Sequence, residues 1–213
     1  FIYFNDDTYL IDRVSPEFFF MNGLPVDNVR EVPMRFNPGG IDHLIGNNMA
    51  LINKNFRKKA VVKKNFTKWF SLKSFSSTVK NLYMLPVNAF SAFDNPHLPA
   101  AFLKSTLEEV WNAEPEELEK TCRNRFRNIG DVTQWLFRYW QYCEGKFVQS
   151  GKCRGKFFSI GKDDEAIRDV ISQKKMKLVC LSDDSPALDF EKEQKFIRDI
   201  FEETFPEKSS FEK

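Results

Sequence analysis

The segment Lys177-Leu178-Val179-Cys180-Leu181 is a short apolar run that stops at Ser182-Asp183-Asp184. It is too short for an independent helix and reads as a buried strand with acids at its exit. FIYFNDD, residues 1 to 7, repeats the arrangement: Phe1 to Phe4 read as a buried strand and Asn5-Asp6-Asp7 as its C-terminal exit. In open α/β sheets ligands bind at that edge. If both strands lie in one sheet and run parallel, their acids meet there. Paired carboxylates with an amide oxygen beside them suit a hard cation such as Mg²⁺, and through it a diphosphate. The competing reading is a plain turn, because Asn and Asp close their own backbone hydrogen bonds.

Helical spacing dominates between these ends. Ser15-Pro16-Glu17 reads as a helix start, Asn22-Gly23-Leu24-Pro25 as its break, and Val29 to Phe36 as extended. Pro38-Gly39-Gly40 is a loop, and 41 to about 82 reads as two or three helices. Asp94 to Pro99 forms another loop, with Pro99 able to start the next helix. Leu103, Leu107, Val110 and Trp111 recur at helical spacing, as do Val132, Trp135, Leu136, Tyr139 and Cys143. Such stripes mark a core rather than a cofactor site. Strands at 155–160 and 177–181 are separated by a helix over 163–172, and a last helix runs from about 189 to 205. The order indicates an α/β fold with a large helical share.

With 23 Phe in 213 residues, the chain has ample material for a core, which argues against disorder. It starts at Phe1, inside an expected strand, so a fragment or processed product is expected, with neighbouring strands supplied by a missing N-terminal part. No apolar run approaches the ~18 residues of a membrane span. Cys122, Cys143, Cys153 and Cys180 are irregularly spaced, with only two His in the chain, so neither a zinc site nor a disulfide framework is indicated. Their number suits a reducing compartment.

The net charge of +2 conceals a strong asymmetry. Between His43 and Phe93 there is no Asp or Glu, yet Lys54, Arg57, Lys58, Lys59, Lys63, Lys64, Lys68, Lys73 and Lys80 all fall there. A solvated basic face is one explanation. Interleaved Phe56, Phe66, Trp69, Phe70 and Phe75 raise another, an anionic partner: a membrane surface, a polyanionic polymer or nucleic acid.

His97, between Pro96 and Pro99, is either a surface residue or a general base or phosphate ligand. Arg123, Arg125 and Arg127 precede a helix expected to begin near 128–131. Arginines beside unpaired amides at a helix N-terminus make an anion site, with surface salt bridging as the alternative.

FIYFNDD, Ser15-Pro16-Glu17-Phe18-Phe19, PHLPAAF (96–102), TCRNRFR with Asp131 following, KLVCLSDD and FPEKSSFEK (205–213) occur in that order. Together they resemble conserved regions two, three and four of the Stealth family, sugar-1-phosphate transferases of bacterial capsule synthesis related to the catalytic part of the GlcNAc-1-phosphotransferase. Region one is absent. The resemblance implies a glycosyltransferase A-like nucleotide-sugar-binding core with a large helical insertion. On that view residues 1–40 carry a core strand and acidic motif, 41–95 the basic insertion, and 96–213 the rest of the catalytic core.

The implied reaction moves a sugar 1-phosphate from a UDP-sugar to a hydroxyl of an acceptor glycan, releasing UMP. The resemblance assigns Asp7, His97, Arg127 and Asp183 to catalysis and Asp6 and Asp7 to Mg²⁺ or Mn²⁺. Asn5, Arg125, Lys63 and Lys64 are the expected substrate contacts. Ser182 stands where the family commonly has Asn. A UDP-sugar donor, an anionic glycan acceptor, peripheral membrane association and a cytoplasmic location at the inner face of the membrane are expected, and no nucleic acid. The rival classes are a metal-dependent nuclease or nucleic-acid binder, which would use the same acids and lysines, and an inactive interaction module.

Overall fold

The structure is a computed structural model that describes residues 1–37, 40, 42–151, 154–183 and 189–207. Its strands, in chain order, are β1 (Ile2–Tyr3), β2 (Thr8–Leu10), β3 (Phe20–Met21), β4 (Leu24–Asp27), β5 (Glu31–Val32), β6 (Ala92–Phe93), β7 (Ala100–Ala101), β8 (Val148–Gln149), β9 (Gly155–Ser159) and β10 (Leu178–Ser182). The helices are α1 (Asp42–Asn55), α2 (Lys58–Lys64), α3 (Phe66–Trp69), α4 (Phe75–Met84), α5 (Lys104–Ala113), α6 (Pro115–Arg123), α7 (Trp135–Glu144), α8 (Asp164–Ser172) and α9 (Phe190–Thr204). The class is therefore mixed α/β. The chain divides into two units, Phe1–Tyr3 with Ser15–Asn95 and Ala100–Lys152, and Phe4–Val14 with Pro96–Pro99 and Cys153–Lys213.

The first unit is mostly helical, around a core that includes Trp69, Phe93, Phe102, Leu136, Tyr139 and Tyr142. The stripe expected from Trp135 to Cys143 is α7, buried on nearly every side, which is why so many aromatics crowd it. It ends at Gly145, φ +73°, a left-handed cap that glycine adopts without strain. Two charged pairs are sealed inside. Lys58 Nζ lies 2.8 Å from Glu31 Oε1, and Arg138 grips Asp27 through two bonds of 2.7 Å. Burial pushes the Glu31 carboxyl up even against Lys58.

In the second unit β10 forms the centre of a three-stranded sheet, parallel to β9 and antiparallel to β2. Phe158, Val179, Leu181 and Ile11 pack with Ile167 and Ile171 of α8 and Ile200 of α9. Gly155 sits where a Cβ would stand 2.2 Å from the carbonyl oxygen of Leu178, so the β9–β10 pairing requires glycine there.

Several expectations are corrected. Phe1 to Phe4 are exposed, not buried, and only Ile2–Tyr3 are extended, paired with β7 of the first unit. The opening strand and β10 therefore do not share a sheet. Ser15-Pro16 begins only a single 3-10 turn, Pro16–Phe18, and Ser15 makes no side-chain cap. Pro99 leads into β7, not a helix, and α5 starts at Lys104. Of the stretch 29–36, Glu31–Val32 are strand. Pro38, Gly39, Asp184 and the end of the FPEKSSFEK motif lie outside the described residues.

Candidate active site

The acids meet by a route different from the expected one. Asn5 to Thr8 form a tight turn: the Thr8 amide and hydroxyl both donate to the Asn5 carbonyl oxygen, at 3.2 and 2.7 Å. Asp6 and Asp7 occupy the two central positions, shortly past the end of β1 as expected, and lead directly into a second strand, β2. Because β2 runs antiparallel to β10, with Thr8 opposite Cys180, its beginning lies beside the end of β10. The Leu181 N–H donates to the Asp7 carbonyl oxygen at 2.8 Å, which fixes that junction.

A cleft of about 420 Å³ opens there, lined by Asp6, Asp7, Tyr9, Leu181, Asp183 and Glu193 among others. Asp7 Oδ2 accepts from the Cys180 thiol at 3.3 Å, whereas its Oδ1 is buried with no hydrogen-bond partner. Burial raises the Tyr9 phenol pKa, and the charges of Asp7 and Asp6 push it further in the same direction. The turn expected of Asn5 to Asp7 is present, and it leaves one buried oxygen of the Asp7 carboxylate without a hydrogen-bond partner. Among the described residues no three His, Cys, Asp or Glu side chains converge into a ready-made metal cage. The neighbouring carboxylates of Asp6 and Asp7 are a donor set of the kind Mg²⁺ takes, one or two carboxylates with places kept for water and substrate phosphate.

Glu193 is the residue that sequence reasoning missed. It is 6% exposed, its Oε2 has no partner, and it lines the same cleft. The signal was present: on α9 it lies four residues before Ile197 and seven before Ile200, an acid on the apolar stripe.

His97 belongs to the same unit and has a left-handed backbone, φ +50°. Its ring lies 5.8 Å from that of Phe157 on β9. Phe157 pairs in register with Cys180, whose thiol meets Asp7.

Arg125, Arg127, Lys63 and Lys64 belong to the first unit, and all four are exposed. No helix begins near 128–131; α7 starts at Trp135. Instead Asp131 closes the loop, accepting from the Asn128 N–H at 2.7 Å and from Asn124 Nδ2 at 2.6 Å, while Asn47 Nδ2 donates to the carbonyls of Ile129 and Asp131. Arg123 pairs with Glu119 on α6 at 2.8 Å, the plain surface bridge. Arg125 stacks over Phe126. The basic window is partly structural too: Lys58 is buried, Lys54 pairs with Glu114, and Trp69 is core.

No protein-family model matches the chain. It is 36% identical, over its whole length and 64% of the relative's, to a capsular polysaccharide phosphotransferase, WcwK, of Streptococcus pneumoniae. Against an exopolysaccharide phosphotransferase, cps2G, of Lactiplantibacillus plantarum it is 36% identical, over its whole length and 63% of the relative's. A receptor polysaccharide phosphotransferase, WefC, of Streptococcus gordonii matches at 32%, over the whole chain and 64% of its own length. The chain thus spans a little under two thirds of these curated relatives. As its resemblance to the Stealth sequences implied, it is a homologue, from end to end, of bacterial capsular and exopolysaccharide phosphotransferases.

Proposed function

We propose that the chain carries sugar-1-phosphate transfer from a UDP-sugar to a hydroxyl of an anionic acceptor glycan, on a glycosyltransferase A-like core with a basic helical insertion. The acceptor oxygen attacks the sugar-bearing phosphorus, the bond from that phosphorus to the bridging oxygen breaks, and UMP leaves with the bridging oxygen. The product is a phosphodiester. Its relatives' names support polysaccharide phosphotransfer. The buried, unpartnered Oδ1 of Asp7, in a cleft shared with Asp6, Asp183 and Glu193, carries the reading further.

In this reading Asp6 and Asp7 hold Mg²⁺ or Mn²⁺, which neutralises charge on the diphosphate when bound. Asp183 completes the acidic edge, and Asn5 supplies an amide contact. His97 takes the hydroxyl proton; its strained backbone, which costs about 1–3 kcal/mol, is the kind retained for function. Arg127 grips phosphoryl oxygens through its planar fork, with Arg125, Lys63 and Lys64 contacting the substrates' remaining anionic groups. The reaction places the chain in the cytoplasm, where UDP-sugars are made.

The test is UMP release from a panel of UDP-sugars with Mg²⁺ and acceptor oligosaccharide. Acceptor-dependent UMP release from one donor supports the proposal. Release of UDP instead, or cleavage of oligonucleotides with no donor used, would overturn it.

A further inference from the structure

Helix α4 is built inside out. Its buried residues are Ser77, Asn81 and Met84, and polar bonds anchor it. Asn81 donates to the carbonyls of Trp69 and Val29 and accepts from the Glu31 N–H, and Ser77 Oγ accepts from Arg30 Nε. Its outward face carries Phe75, Val79, Leu82 and Tyr83, at i, i+4, i+7 and i+8, with Leu72 just before it. Leu72 is 91% exposed, Tyr83 78% and Phe75 69%. A contiguous apolar face of this kind on a surface helix marks something it docks against.

Charge identifies the occupant. Lys73 and Lys80 stand exposed beside the apolar face; Lys80 also lines a cleft with Asp42 and Asp94, but α4 itself carries no acid and none occurs in the sequence between residues 43 and 94. Two such faces would repel one another, so a second copy is disfavoured. A surface offering both apolar depth and negative charge fits best. We propose that the outward face of α4 lies on an anionic lipid bilayer, with Phe75, Val79, Leu82 and Tyr83 entering the headgroup boundary and Lys73 and Lys80 meeting lipid phosphates. This docking is peripheral: among the described residues no helix is long and apolar enough to cross a membrane. It does not depend on the reaction proposed above.

The test is sedimentation with vesicles of phosphatidylcholine alone and of equimolar phosphatidylcholine and phosphatidylglycerol, with light scattering and thermal melting as companions. Binding is expected to the anionic vesicles, weakening with salt. Phe75→Ser with Tyr83→Ser lowers partition at least about tenfold at unchanged melting temperature. Lys73→Gln with Lys80→Gln lowers it about tenfold at low salt. No binding, equal binding to neutral vesicles, indifference to the lysine pair, or a dimer split by the face substitutions would each overturn the proposal.

Discussion

The Leu181 N–H donates to the Asp7 carbonyl oxygen at 2.8 Å, joining the turn before β2 to the end of β10. This one pairing brings acids separated by about 175 residues of chain to the same cleft. The register that places it is set by two neighbours, β2 on one side of β10 and β9 on the other.

Gly155→Ala tests that register. A Cβ there meets the Leu178 carbonyl oxygen at 2.2 Å, which β9 can relieve only by moving away from β10. A loss of about 1–3 kcal/mol is expected, measured by urea unfolding.

The sequence made β9, α8, β10 and α9 legible, because each has its own period and clear turn residues at its ends. It also put Asp6, Asp7 and Asp183 on the list of candidates. The route by which they meet was not legible: Phe1 to Phe4 look like a core strand in isolation, and only the pairing of Thr8 with Cys180 shows that the following segment enters the sheet. Glu193 was hidden for the opposite reason, as one acid among Glu191, Asp199, Glu202 and Glu203 in a helix full of charges.

Arg127→Ala is expected to lower turnover about 10²- to 10³-fold without lowering the melting temperature, since the side chain is exposed. Arg127→Lys should recover little, because an ammonium cannot make two parallel bonds. Steady-state UMP release is the measurement, and a lysine variant at near-normal rate would remove Arg127 from phosphate binding.

Arg138 serves the fold rather than the chemistry. Burial works against its charge, and the field of Asp27 outweighs that, holding the guanidinium pKa above its ordinary value. Arg138→Ala strands a buried carboxylate and should cost about 3–5 kcal/mol in denaturant unfolding. Arg138→Met combined with Asp27→Leu should cost less than Arg138→Ala alone.

Alkaline pH should destabilise the first unit through Tyr139. Burial pushes its phenol up to about 12 from an ordinary 10.0. Between those values the unfolded chain loses the proton and the folded chain keeps it, so stability is intact below pH 10 and falls as pH rises toward 12. Tyr142 shifts in the same direction. Melting temperature followed from pH 8 to 11 should drop, and Tyr139→Phe should flatten part of the drop.

Asp7 is the carboxylate proposed to meet a metal-bound diphosphate, and its Oδ1 has no hydrogen-bond partner within the protein. The most direct measurement is the melting temperature with UDP and Mg²⁺ together, for the unaltered chain and for Asp7→Asn. A rise that requires both ligands in the unaltered chain, and is lost in a variant of equal intrinsic stability, is the expected result. An equal rise in Asp7→Asn would contradict it.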